Sequence, residues 1–393
     1  MRIAIVGGGP AGLTAAIAAR RLGLEPLVFE QARDFRRIGG GILIHSNGLR
    51  VLDALGLYRG FAARMNTVQK LFSVLPEGCV VGSVDYADLA IPFNRCAVVM
   101  RYELQEYLLS EAQCAGVKIE FGQRLMGFAS NNGRGELEFE SGMACEADVV
   151  LACDGYRSAT RAAAGIAAKV IDINQAYLRG IAERSVDKSS IRELWGVDGR
   201  RFGICPLPGE RTYFFCNAPP GGWEETRSEH LNEWIAGWSA FGDEVAGLLN
   251  SVADWSRVNY DELHEIRCRE WARPPVFVVG DAAHAMTPNL GQGANSAMVD
   301  AIVLVRLLAE AAEYGASLAE VAATYQEIRQ RFATRIQTTA RWMGSMASYK
   351  SGLARTARNR AMGLMQSRKT MRSAALVGAG YNPLEERFLR SIS

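Results

Sequence analysis

The chain has 393 residues, of which 49% are hydrophobic and 22% charged, with 44 Lys and Arg against 42 Asp and Glu. That length allows two or three lobes around a sizeable core, and the composition excludes a disordered chain. A formal charge of +2 gives no global field for nucleic acid, and no stretch reaches the ~18 uninterrupted apolar residues that a membrane span needs.

The eight cysteines form no CxxC pair and have no histidine at metal-ligand spacing, so they read as reduced thiols of a cytoplasmic protein with no metal site. From Arg341 onward ten Lys or Arg stand against Glu385 and Glu386 alone. This basic region reads as solvated helix faces or as an oligomer contact, for example in a homodimer, ahead of the alternative of an anionic partner.

In chain order, Arg2 to Val6 (RIAIV) is a short β-branched run bounded by glycine, the pattern of a buried parallel strand. Gly7-Gly8-Gly9-Pro10-Ala11-Gly12 follows, then a helical pattern from Leu13 to Leu24. Gly7 allows the tight turn, Gly9 lets a pyrophosphate approach the backbone, and Gly12 lets helix and strand pack closely. A second strand, EPLVFE, ends at Glu30, where a carboxylate can accept ribose hydroxyls. Spacing alone does not separate NAD from FAD.

Alternating segments from Asn66 to Val98 and from Asn174 to Cys268 read as strands of a largely antiparallel second sheet. Between them, VVLACDGYRSATR (Val149 to Arg161) is an apolar strand ending in Asp154-Gly155. PPVFVVG is another, ending at Gly280-Asp281. Each places an aspartate at a carboxyl strand end, the edge where open α/β sheets bind ligands. Asp281, His284 and Ser296 also allow a hydrolase reading, as acid, base and nucleophile. Two long amphipathic helical patterns close the chain's main body, from Asn295 and from Glu320.

The glycine motif with Glu30, the Asp154-Gly155 pair and Gly280-Asp281, in this order, resemble the FAD-dependent single-component (group A) aromatic hydroxylases. This is the family of para-hydroxybenzoate and salicylate hydroxylases, and the resemblance runs from Met1 to about Ala340. It implies an α/β fold: a Rossmann-like FAD-binding domain (1–65, 99–173 and 269–340), a largely antiparallel substrate domain (66–98 and 174–268) and a C-terminal helical region (341–393). It also implies non-covalent FAD, NADH or NADPH as co-substrate, molecular oxygen, and an aromatic small molecule hydroxylated through a flavin C4a-hydroperoxide. No second GxGxxG follows a strand, in keeping with a nicotinamide that docks only transiently.

By the same resemblance IGGGI (Ile38 to Ile42), with Gly40 and Gly41, lies beside the isoalloxazine, and Arg101 and Gln105 contact the pyrophosphate and ribityl chain. Asp281 bonds the ribityl, Pro288 lies beside the flavin, and Gly291, Gly293 and Asn295 start a helix that steadies the reduced ring. His284 then reads as a satisfied turn histidine. The strand matching the carboxylate-binding one of para-hydroxybenzoate hydroxylase reads GICPLP (Gly203 to Pro208), and the relay tyrosine falls near Trp195. Both departures imply a more apolar, heteroaromatic or polycyclic ring. Phe202 and Phe214 are candidate ring contacts, with core packing the alternative. His45 is the candidate base, with a hydrogen-bonded loop histidine the alternative. Two other functions stay open: a flavin-dependent halogenase or reductase, although no Trp-x-Trp-x-Ile-Pro is present, and a non-catalytic flavin-binding sensor.

Overall fold

The apolar run Arg2–Val6 forms the inner strand of a six-stranded sheet in a computed structural model. The structure describes every residue except 36, 38, 39, 197, 219, 220, 229, 365–367 and 393. The sheet runs Ala272–Arg273, Val276–Val278, Val149–Ala152, Arg2–Val6, Glu25–Glu30, Lys118–Phe121. All pairs are parallel except that of the first two strands. Ile3, Ala4, Ile5 and Val149 to Ala152 have no exposed surface, the continuous burial of a sheet covered on both faces.

Helix Pro10–Arg21 follows the first strand and packs against the later helix Gly293–Tyr314. Its Ala15, Ala16, Ala18 and Ala19 are fully buried, and their small side chains let the two helices approach closely. The three apolar strands ending at Val6, Ala152 and Val278 are therefore adjacent and co-directional, so their carboxyl ends open on one edge.

The second sheet has seven strands: Val258–Cys268, Ala168–Ala182, Thr212–Ala218, Arg201–Pro206, Ser190–Trp195, Lys70–Val74, Val80–Asp85. It is antiparallel apart from the pairing of Ser190–Trp195 with Lys70–Val74. Strand Ala168–Ala182 begins before residue 174, and helix Leu318–Ala347 runs unbroken past residue 340. One strand and one helix thus each run across a segment limit read from the sequence. The small sheet Gly41–Ile44, Cys96–Met100, Asn66–Val68 joins the two lobes.

The C-terminal segment folds back over the core. Arg329, 1% exposed, pairs with Asp300 (2.6 Å) and with Glu385, while Arg50 pairs with Glu386 at 2.7 Å. Ile392 donates its backbone N–H to Ala54 at 2.7 Å. Among the described residues no helix is long and apolar enough to cross a membrane.

Candidate active site

The first glycine turn is forced by what surrounds it. Gly7 has φ +107°, and a Cβ there would strike the Cys153 carbonyl; a Cβ at Gly12 would strike the Gly7 carbonyl oxygen. Gly9 differs, because a Cβ there would meet nothing within 4 Å. The room lies over the start of helix Pro10–Arg21, which has no side-chain cap and no acidic residue in its first turn. Its unpaired N–H groups and dipole therefore face open space.

Glu30 and Gln105 fix this loop from beside it. The Glu30 carboxylate accepts the backbone N–H of Gly8 at 2.8 Å and of Ala32 at 2.8 Å, while Gln105 donates to the Gly8 carbonyl. The Asp154 carboxylate accepts from Ser158 and from the Thr160 backbone and hydroxyl, both at 2.9 Å. It organises its own turn, and Gly155, at φ +80°, is the residue of that pair that reaches the cleft.

A cleft of about 470 Å³ separates the two sheets. One wall holds Gly9, Pro10, Ala11, Arg101, Gly155 and Asp281, and the loop from Pro288 to Ala294 closes its end. The Asp281 side chain opens on this cleft and is exposed there. Desolvation by the surrounding cleft walls raises its carboxyl above the ordinary value, against the pull of His284 and Arg101. His284 faces away: its Nε2 meets Asp300 at 2.5 Å and its ring stacks on Trp271 at 5.0 Å. Asp300 also accepts from Gly280 N (3.0 Å) and Arg329 Nε (2.6 Å). Burial pushes the Asp300 carboxyl up, but His284 and Arg329 outweigh it and hold it below its usual range. His284 is thus part of a buried ionic scaffold under the strand end, not a base facing the cleft.

Asn295 is fully buried; its side chain accepts from His45 N (3.0 Å) and donates to Leu43 O (2.9 Å) and Gly291 O (2.8 Å). It staples strand Gly41–Ile44 to the loop before helix Gly293–Tyr314, whose start again has no side-chain cap. Gly40 and Gly41 lie under Tyr213: a Cβ at Gly41 would come 2.5 Å from the Tyr213 ring. Ile38 and Gly39 of the same stretch lie outside the described residues.

The packing corrects the expectation for His45. Its imidazole is 2% exposed, bonds the Tyr86 hydroxyl at 2.6 Å through Nδ1, and sits behind Gly291, where a Cβ would come 2.8 Å from Nε2. The Gly291 backbone stands between it and the cleft, so it reaches no ring there. Burial pushes its pKa down to about 4, because a charged imidazole would lose its hydration. His264, stacked on Tyr156 at 5.6 Å, is the imidazole in the wall.

Phe202 and Phe214 are corrected as well. Both are fully buried and stack on each other at 5.6 Å, with Trp238 edge-on to Phe202. They belong to the sheet's rear face, under helices Leu231–Ala236 and Asp243–Leu249. Side chains alternate along a strand, so their neighbours Tyr213 and Phe215 face the cleft, beside Tyr177 and Arg179. Behind Tyr177 lies Arg201, 2% exposed, which donates to Glu193 (2.6 Å), to Asn289 (2.8 Å) and to the Tyr177 hydroxyl. The Tyr177 hydroxyl in turn donates to Asn289 at 3.0 Å. These wall residues were missed in the sequence, although the alternation in TYFFCNA was visible.

Residues 1–340 match the family described as FAD binding domain. The chain belongs to this family. It is 29% identical over 375 residues to the aurachin C monooxygenase/isomerase of Stigmatella aurantiaca, covering 93% of this chain and 95% of that one. To the FAD-dependent urate hydroxylase of Mycolicibacterium vanbaalenii it is 30% identical over 328 residues, covering 77% and 78%. Its fold is similar to that of tetrameric 2-methyl-3-hydroxypyridine-5-carboxylic acid oxygenase, with TM-score 0.79 at 25% identity, covering 98% of this chain and 97% of that one. Klebsiella pneumoniae HpxO, solved with FAD and uric acid, shares the fold at TM-score 0.81 and 22% identity, covering 96% of both chains.

The cleft edge fits FAD in its own chemistry. Helices Pro10–Arg21, Arg101–Cys114 and Gly293–Tyr314 all begin at its wall, and none has a side-chain cap. Three such starts, with the Arg101 guanidinium, suit a ligand carrying a diphosphate and a second electron-rich edge. The bare Gly9 leaves the space that a diphosphate needs against the backbone.

Proposed function

We propose that this FAD-binding protein is a monooxygenase that hydroxylates an aromatic or heteroaromatic small molecule at the expense of NADH or NADPH. The observation that carries the reading is the facing of two unlike walls across one cleft. Uncapped helix starts and Arg101 lie on one side, Tyr177, Tyr213 and Phe215 on the other. The monooxygenase and hydroxylase names of the relatives support the same class.

When bound, FAD would supply the redox chemistry of the reaction, in which NAD(P)H is the two-electron donor, one atom of O₂ enters the ring and the other leaves as water. In this reading Arg101 and the first turn of Pro10–Arg21 hold the diphosphate, and Asp281 accepts from the ribityl hydroxyls. The uncapped Gly293 helix start would offer N–H groups to the negative charge of a reduced isoalloxazine. Pro288 and Asn289 form the seam between cofactor and ring, with Asn289 held by Arg201 and Tyr177. Tyr213 on Gly41 and Phe215 beside it exclude water from the reacting face. Glu30 and Asp154 act one step back, by setting the two glycine turns. Eight free cysteines suit a reducing, cytoplasmic setting.

The test is NAD(P)H oxidation followed together with oxygen uptake on a panel of phenols, hydroxypyridines and hydroxyquinolines. The expected result is one NAD(P)H and one O₂ consumed per product heavier by one oxygen atom. A panel that drives only peroxide formation would count against hydroxylation of those compounds, and one that leaves NAD(P)H oxidation unstimulated throughout would sink the hydroxylase reading in favour of a flavin-binding sensor.

A further inference from the structure

We propose that Asp261 makes the cleft selective for uncharged rings by occupying Arg179, the one guanidinium among the described residues of its substrate wall; this rests on reading the cleft as a ring-hydroxylation site. Arg179 projects from strand Ala168–Ala182 on the same face as Tyr177, and it lines the cleft beside Tyr213 and Phe215. Asp261, from the paired strand Val258–Cys268, lines the cleft too and meets the Arg179 guanidinium at 3.0 Å. A guanidinium has a donor fork suited to one carboxylate. With Asp261 in that fork, the carboxylate of an acidic substrate would have to displace it.

The remaining charges of the wall reinforce this. Among the described residues lining the cleft, the guanidiniums are Arg101 and Arg179, and the carboxylates are Asp261, Glu262 and Asp281. Arg101 lies at a helix start on the cofactor side, and Glu262 accepts the Gly221 N–H at 3.0 Å. Arg201, nearest behind the wall, is held by Glu193 and shielded by Tyr177. No described guanidinium or ammonium group of the substrate wall is left to neutralise a bound anion, His264 there is stacked on Tyr156, and a second carboxylate beside Asp261 and Glu262 would be repelled. The rings of Tyr177, Tyr213 and Phe215, with Leu263, reward a flat, uncharged surface.

Matched ligands test the inference directly. Dissociation constants of the FAD-loaded protein for 4-hydroxyquinoline and for its 2-carboxylate are measured by calorimetry, in wild type, in Asp261→Asn and in Asp261→Asn/Arg179→Gln. Wild type is expected to bind the uncharged ring at least about tenfold more tightly, about 1.4 kcal/mol. Asp261→Asn should narrow that ratio about tenfold through a rise in carboxylate affinity, and the added Arg179→Gln should reverse the rise. The proposal is overturned if wild type prefers the carboxylate or binds neither ligand, or if Asp261→Asn shifts both affinities alike. Product mass from the better-bound ligand is read separately: binding selectivity without oxygen insertion would count against the hydroxylase reading and leave the charge selection standing.

Discussion

Gly9 and Gly12 lie three residues apart in one turn, yet the surroundings assign them opposite vulnerabilities. At Gly12 a Cβ would lie 3.1 Å from the Gly7 carbonyl carbon and closer still to its oxygen, with Ile5 at 3.3 Å. Helix and strand would have to separate, and overpacking of this kind costs about 1–3 kcal/mol, the upper end applying where the obstacle is backbone. Gly9→Ala should leave the apoprotein nearly intact. Its φ of −71° and ψ of −177° suit alanine, and the loss of a helix-start glycine is offset by reduced unfolded-state entropy, to within ~1 kcal/mol. The new methyl instead fills the space over the helix start. Displacing one charge-assisted hydrogen bond to a phosphate there costs about 1.5–3 kcal/mol, or about 10- to 150-fold in FAD affinity. Urea denaturation of the apoproteins and flavin-fluorescence titration separate the two effects. Equal destabilisation by both substitutions, or an unchanged FAD dissociation constant for a folded Gly9→Ala protein, would refute this account of the turn.

Other perturbations follow the same logic. Phe214→Ala removes a fully buried ring from the rear cluster and should cost about 3–5 kcal/mol in denaturant unfolding, whereas Phe215→Ala, on the cleft side, should act mainly on KM. The opposite pattern would mean that the strand faces are reversed. His45 gives a pH signature: its pKa is held near about 4 by burial, against ~6.5 in the unfolded chain. The unfolded state therefore takes up a proton first as pH falls. Stability is full above ~6.5 and is lost toward 4, by about 2 kcal/mol between pH 7.5 and 5. His45→Gln should flatten that part of the profile measured by urea midpoints, and an unchanged slope would contradict the burial. Asp300→Ala strands Arg329 and His284 without their shared carboxylate, for an expected loss of about 3–5 kcal/mol; a loss below 1 kcal/mol would show that water replaces the anion.

The cofactor edge was legible because its constraints are local. A strand, a glycine turn and a helix start follow one another directly, with Gly7 and Gly12 explained by a neighbour inside the same unit or at the end of the adjacent strand, and Gly9 by the open room over the helix start. The aspartates at strand ends were found in the same way, although Asp154 turned out to spend its carboxylate on Ser158 and Thr160. His45 misled for a physical reason. It is adjacent in chain to the flavin-side loop, but chain adjacency says nothing about which side of the Gly291 backbone the imidazole occupies. Tyr86, its partner, comes from 41 residues away.

The substrate wall shows where a local reading stops. In TYFFCNA the period-two rule states that Tyr213 and Phe215 share a face opposite Phe214, but not which face meets the cleft. Glycines do not break the tie: Gly203 makes room for Phe215 on one face, and Gly180 makes room for Phe214 on the other. What breaks it is the segment carrying Trp234, Trp238 and Phe241, whose apolar side chains cover Phe202 and Phe214. The opposite face is left to Tyr213 over Gly41 and to the Arg179–Asp261 pair. A set of aromatic strands thus acquires a cleft side only when a tryptophan-rich helical layer claims the other, so that layer decides which rings line the cleft without touching it.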